Sequence, residues 1–203
     1  VTYSSDTTAA VPGAALSAAR SGIAASSARA NALPQPPALT PTPQTSLATA
    51  PTPNTGYFGG GDPGTFSTMD KVTYSSDTTA AVPGANLTVA RGYLAATGSS
   101  TAGYFGGGTP GPRSTMDKVT YSTDTTAQVP GAPLSVARYG VAATGSSTAG
   151  YFGGGFPTSS TMDKVTYASD TTAAVPGANL SLARYALAAT GNSTAGYFGG
   201  GEP

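Results

Sequence analysis

The feature that most constrains the fold is an internal repeat. The octapeptide Ser-Thr-Met-Asp-Lys-Val-Thr-Tyr occurs three times, ending at Tyr74, Tyr121 and Tyr167, which are 47 and then 46 residues apart. A second landmark, Gly-Tyr-Phe-Gly-Gly-Gly, occurs four times at similar spacing. A period in this range is typical of an array of equivalent structural units. The repeat therefore predicts one continuous domain over 1–203, with units at about 1–71, 72–118, 119–164 and 165–203.

Composition argues against several classes of function. Nine basic and nine acidic residues cancel, so no net field attracts the chain to nucleic acid or to an anionic membrane. The sequence has no cysteine and no histidine, which removes thiolate metal sites, the usual general base and the commonest metal ligand. No segment approaches the roughly 18 apolar residues that a membrane span needs. We therefore expect no metal, no cofactor, no nucleic-acid partner and no membrane span.

The local pattern within a unit predicts about four short strands. In the unit from Met116 to Thr161 the predicted strands are 118–122, 127–129, 139–144 and 149–153. Asp124 and the Pro130-Gly131 pair mark turns between them. Helix is the competing interpretation of 86–96. Equivalent positions in other units carry glycine, which disfavours helix, so the predicted fold class is all-β.

The first unit contains an additional segment at about 24–55, rich in proline, alanine and threonine. Such a composition cannot form a helix or a strand ladder and favours extended polyproline conformation. Two interpretations remain open, a tolerated surface loop and a functional tether or contact arm.

A Tyr-Phe pair in the last strand of each unit indicates how the units are arranged. Adjacent strand residues point to opposite faces, so a strand with this pair is apolar on both sides. A small sheet that is apolar on both faces has to lie between two others, as a propeller blade does. The pairs are Tyr57-Phe58, Tyr104-Phe105, Tyr151-Phe152 and Tyr197-Phe198. They are the predicted structural core of the repeat.

These residues resemble the kelch motif of β-propellers, in which two glycines end a strand, a tyrosine lies in the next strand and an arginine precedes the next blade. The matching sets are Gly60-Gly61, Tyr74 and Arg91; Gly107-Gly108, Tyr121 and Arg138; and Gly154-Gly155, Tyr167 and Arg184. The resemblance covers the chain outside the insert and implies four-stranded blades. Kelch blades usually carry a tryptophan after the tyrosine, whereas this chain has no tryptophan. The repeats also resemble those of phage and other viral structural and tail-associated proteins.

The order of the strands bears on whether the propeller closes. The sequence opens in the third strand of a blade and stops just after the second. Pairing of the two ends would complete a fourth blade and close a ring of about four blades of about 47 residues. The alternatives are an open repeat array and a part of a larger propeller.

The charged residues of the repeat are the candidates for chemistry. Arg20, Arg91, Arg138 and Arg184 occur in register. They could form a cationic ring for acidic glycans, or bond to carbonyls and carboxylates of the adjacent blade. Asp6, Asp77, Asp124 and Asp170 are expected to cap a turn. The Asp-Lys pairs at 70–71, 117–118 and 163–164 are expected to be solvated charges at strand ends.

The sequence favours a structural protein over an enzyme. Nearly every notable polar residue is repeated, whereas a catalytic constellation is normally a singular arrangement, so no catalytic residue is predicted. The first hypothesis is a structural or fibre component, extracellular or virion-associated, that self-associates or binds other structural proteins. Its low charged fraction of 9% is common among such proteins. The alternative is an adhesion propeller that binds carbohydrate or protein.

Overall fold

The structure is a computed structural model that describes residues 24–27 and 54–203. These residues form an all-β chain in which three four-stranded antiparallel sheets are followed by a two-stranded sheet. Strands that follow one another in the sequence are neighbours in each sheet. The all-β class and the repeated four-stranded sheets predicted from the sequence are therefore confirmed.

The strands have the following bounds. The first sheet contains β1 (Ala24–Ser27), β2 (Thr55–Gly59), β3 (Met69–Thr73) and β4 (Thr78–Ala81). The second contains β5 (Ala95–Gly98), β6 (Ala102–Gly106), β7 (Met116–Thr120) and β8 (Thr125–Gln128). The third contains β9 (Ala142–Gly145), β10 (Ala149–Gly153), β11 (Met162–Thr166) and β12 (Thr171–Ala174). The last contains β13 (Ala188–Gly191) and β14 (Gly196–Gly199).

Two details refine the sequence interpretation. Residues 86–96 contain no α-helix; within the described residues the helical segments are 3-10 turns at Pro83–Ala85 and Pro176–Ala178. Ala24–Ser27, which the sequence assigned to the insert, pairs with β2 as an ordinary first strand. The Pro-rich residues of the insert lie outside the described residues.

The sheets stack on one another through their faces. The first strands of successive sheets lie side by side, β5 beside β1, β9 beside β5 and β13 beside β9. One buried apolar cluster lies between the first and second sheets and another between the second and third. The sandwiched arrangement predicted from the Tyr-Phe pairs is therefore found for the second and third sheets, each of which has a described sheet on both sides. The stack is compatible with a propeller-like repeat.

Glycine allows the close approach of the sheets. Phe105 and Phe152 are fully buried, and each lies against the glycine that ends the equivalent strand of the preceding sheet. A Cβ added at Gly106 would lie 3.0 Å from the ring of Phe152, and one added at Gly59 would lie 3.4 Å from the ring of Phe105. The glycine that follows the Tyr-Phe pair therefore makes room for the phenylalanine of the next sheet.

Candidate functional site: the contacts within and between sheets

A buried arginine–aspartate pair lies in the second sheet and again in the third. Arg91 Nη2 lies 2.7 Å from Asp117 Oδ2, and Arg138 Nη2 lies 2.5 Å from Asp163 Oδ2. All four side chains are fully buried. Burial holds the pKa of both guanidinium groups below its ordinary value, against the opposing effect of the carboxylates. Each pair is thus an ion pair with no access to solvent.

The same arginines also satisfy backbone carbonyls. Arg138 Nη1 donates to the carbonyls of Gly154 and Thr161, both at 2.7 Å. Arg91 makes the equivalent bonds in the second sheet. These bonds fix the arginine that precedes the first strand to the end of the second strand and to the segment that leads into the third. Each arginine therefore joins the segments around the first three strands of a single sheet.

The structure separates the four repeat arginines into different environments. Arg91 and Arg138 are fully buried and their Nη1 and Nη2 groups bond within the sheet, so they are not accessible to an acidic glycan. Arg184 is half-buried and donates to the carbonyl of Phe198 at 3.4 Å, and no ion pair to it lies among the described residues. Arg20 lies outside them. The expectation that the Asp-Lys pairs are solvated is wrong for their aspartates, since those at 70, 117 and 163 are fully buried.

A second contact joins neighbouring sheets and is here called the tyrosine contact. Tyr57 of the first sheet stacks on Tyr121 of the second, with ring centroids 4.8 Å apart and planes at 10°. The Tyr57 hydroxyl donates to Asp124, and Lys71 Nζ lies 2.8 Å from Asp124 Oδ2. The same contact joins the second and third sheets. There the ring centroids of Tyr104 and Tyr167 are 5.0 Å apart, and Lys118 Nζ lies 2.7 Å from Asp170 Oδ2.

The electrostatics of the tyrosine contact favour a neutral phenol beside an ionised carboxylate. Burial, and then the bonded aspartate, raise the pKa of Tyr57 and Tyr104. Burial would raise the pKa of Asp124 and Asp170, but the bonds donated by lysine and tyrosine outweigh it and lower the pKa. A depressed carboxyl pKa stabilises the folded chain above the ordinary aspartate value, and the effect is lost as pH falls through the lowered pKa.

The turn aspartates Asp124 and Asp170 join neighbouring sheets in addition to lying in a turn, as the sequence predicts. Asp124 and Asp170 lie in the left-handed region, with φ of 51° and 52°, where aspartate is tolerated better than most residues. Their carboxylates bond across to the preceding sheet. The equivalent Asp6 lies outside the described residues.

The last sheet exposes a tyrosine whose equivalents in the first two sheets are buried. Tyr197 is 65% exposed, whereas the equivalent Tyr57 and Tyr104 are exposed by 1% or less. β14 pairs with β13 on one side, and no described strand pairs with its other edge. A cleft of about 510 Å³ lies between the third and last sheets, lined by Tyr151, Arg184 and other residues. The cleft lies beside β14, whose equivalents β2, β6 and β10 each pair with a third strand.

No protein-family model matches the chain, and no curated protein matches it significantly. Within residues 24–27 and 54–203 no helix has the length and apolar character that a membrane span requires. The same residues contain no group of three or more His, Cys, Asp or Glu side chains placed to hold a metal ion. The contacts themselves are therefore the basis for the functional inference.

Proposed function

We propose that this chain is a non-catalytic structural component, extracellular or virion-associated, that self-associates by joining the two ends of its sheet stack. The observation that carries the proposal is the exposed face of the last sheet, whose equivalents in the first two sheets are buried. The weak resemblance to repeats of viral tail-associated proteins and the low charged fraction agree with this role.

The two ends of the stack are complementary. The last sheet presents Tyr197, and the first sheet presents Tyr74, which is 38% exposed, together with Asp77 in the turn that follows. In the interior tyrosine contacts these positions are filled by Tyr57 on one side and by Tyr121 and Asp124 on the other. Two different surfaces that fit one another produce head-to-tail association, which closes into a ring or continues as a filament.

The sequence also contains a segment that matches the missing strands. Residues 1–14 are identical to 72–85, which include the end of β3, all of β4 and the 3-10 turn. Residues 1–14 lie outside the described residues. An unpaired strand edge accepts an added strand through its backbone groups. We infer that residues 1–14 of a second copy pair with β14, and that Tyr3 and Asp6 meet Tyr151 and Lys164.

Completion of the last sheet by the chain's own residues 1–14 is the alternative. It would give a closed, kelch-like propeller of four blades with the same tyrosine contacts inside one molecule. The two arrangements differ in molecular mass, so an association measurement distinguishes them.

Sedimentation velocity over a range of concentrations tests the proposal. We expect the mass to rise with concentration, and Tyr3→Ala to move the onset of association to a concentration at least about tenfold higher, because it removes a stacked ring pair and its buried area. Tyr93→Ala is the matched control, since it removes an exposed tyrosine that lies outside these surfaces. A monomer at every concentration, or equal weakening by both variants, would contradict the proposal.

A further inference from the structure

The copies of the repeat differ most in two stretches, and the fold places these side by side. One stretch follows each triple glycine, and the other is the pair of residues after each repeat arginine. The stretches are 62–66, 109–113, 156–159 and 202–203, and 92–93, 139–140 and 185–186. Backbone bridges join Gly92 to Thr109, Tyr139 to Phe156 and Tyr185 to Glu202. A nearly constant framework thus carries one variable surface, which is how binding loops are commonly placed on a rigid scaffold.

Four aromatic side chains form a continuous row on this surface, here called the aromatic row. Ring centroids are 6.3 Å apart from Tyr93 to Tyr139, 5.1 Å from Tyr139 to Phe156 and 5.6 Å from Phe156 to Tyr185. Tyr93 is 44% exposed and Phe156 is 39% exposed. The row therefore presents adjacent ring surfaces to solvent across the second, third and last sheets.

A carboxylate lies at each end of the aromatic row. The Tyr185 hydroxyl donates to Glu202 Oε2 at 2.7 Å. At the other end Asp62 lies next to the backbone that precedes Tyr93, since a Cβ added at Gly92 would lie 2.9 Å from Asp62 Oδ1, and this carboxylate raises the pKa of Tyr93. Among the described residues of the variable stretches, Arg113 is the one basic side chain. It is half-buried, and its charge acts on Arg91. The two carboxylates thus place negative charge at both ends of the row, with Glu202 exposed and Asp62 half-buried.

The angles between the rings favour a cationic ligand over a sugar. Neighbouring rings are tilted by 55°, 40° and 75°, so they form corners instead of the flat platform on which a sugar ring would stack. Corners of aromatic rings suit a compact cation, which is attracted to the negative ring faces. The carboxylates at the two ends of the row also attract positive charge.

We propose that the aromatic row binds a basic peptide segment, with lysine or arginine side chains against the rings and further cationic groups near Asp62 and Glu202. This binding is separate from self-association, because it uses the variable surface and not the faces of the terminal sheets. A protein partner of this chemistry would be held along the side of the stack, across the second, third and last sheets, while the faces of the terminal sheets remain free to assemble.

Fluorescence anisotropy of a labelled hexalysine peptide tests the proposal. We expect saturable binding that weakens with salt, that falls about tenfold in Tyr139→Ala/Phe156→Ala from the loss of two cation–ring contacts, and that falls several-fold in Asp62→Asn/Glu202→Gln. Labelled hexaglutamate is expected not to bind.

Tyr197→Ala is the matched control, since it removes an exposed ring from the assembly face and should leave hexalysine binding unchanged. Absence of hexalysine binding, or binding that the aromatic-row variants do not weaken, would overturn the proposal. So would a neutral cello-oligosaccharide that binds more tightly and is lost in the same variants. Because sedimentation reports assembly separately, either inference can fail while the other stands.

Discussion

Replacing Arg138 with methionine is expected to lower the free energy of unfolding by about 3–5 kcal/mol, the usual effect of removing one partner of a buried ion pair. The substitution leaves Asp163 as an uncompensated buried charge and also removes the donors to the carbonyls of Gly154 and Thr161. Urea denaturation followed by circular dichroism measures the change. Most of the loss comes from the stranded carboxylate, so Arg138→Met/Asp163→Leu should recover part of it.

Arg184→Met is the matched control, because Arg184 occupies the same position of the repeat. It is half-buried, and within the described residues its guanidinium group makes one hydrogen bond, of 3.4 Å, to the carbonyl of Phe198. Its replacement is expected to change the free energy of unfolding by about 1 kcal/mol or less. Equal effects at Arg138 and Arg184 would mean that the buried pair does not stabilise the sheet as described.

Replacing Phe152 with alanine is expected to lower the free energy of unfolding by about 3–5 kcal/mol, as large-to-small changes in a packed core do. Phe152 is fully buried in the cluster between the second and third sheets, where its ring fits against Gly106. Alanine would leave a cavity that the paired backbones on both sides cannot close. Chemical denaturation is the measurement, with the slope of the transition as a check that cooperativity is retained.

Phe198→Ala is the corresponding control on the last sheet. Phe198 lies against Gly153 in the same way, but it is only half-buried, so a loss of about 1 kcal/mol is expected from the smaller area removed from water. The comparison is made at concentrations below the onset of association, since assembly would bury the ring. A loss at Phe198 as large as that at Phe152 would contradict the description of the last sheet as open.

The repeat and the Tyr-Phe pair predict much of the fold because both signals are local. Strand β10, from Ala149 to Gly153, coincides with the strand predicted there. The adjacent Tyr151 and Phe152 correctly indicate a sheet with neighbours on both faces. The first strand is shorter than predicted, beginning at Ala142 where the sequence suggested Tyr139, because Tyr139 instead makes an isolated bridge to Phe156.

The sites were less predictable because their partners are distant in the sequence. Asp117 looks like a solvated strand-end charge from its neighbours, and its burial is explained by Arg91 and Thr88, which bind it from 26 and 29 residues earlier in the sequence. Asp124 resembles an ordinary turn cap, but Tyr57, which it binds, is 67 residues away in another sheet. The sequence contained one sign of these pairs: Asp117 recurs at the same period as Arg91, and Asp124 recurs at the same period as Tyr57. The aromatic row gave a weaker signal: Tyr139 and Tyr185 each follow a repeat arginine directly, but Tyr93 lies two residues after Arg91 and Phe156 follows a triple glycine.

The most direct test of the assembly uses a pair of introduced cysteines in this cysteine-free chain. In the complete sheets Thr73 lies opposite Thr55, and Thr120 lies opposite Ala102. The bond from the Tyr74 amide to the Asn54 carbonyl makes the next pair along, Thr73 and Thr55, a closely spaced non-hydrogen-bonded pair, which suits a disulfide. Thr2 matches Thr73 in the sequence, so the proposed assembly pairs it with Ala195 of the last sheet.

Thr2→Cys/Ala195→Cys is oxidised mildly and analysed on a non-reducing gel, and the linked peptides are identified by mass. Ala102→Cys/Thr120→Cys is the control that must form a disulfide within one chain. The account predicts a link between residues 2 and 195 of different chains, seen as a ladder of covalent oligomers. A link within one chain would show a closed ring, and no link between these positions while the control links would show that residues 1–14 do not complete the last sheet.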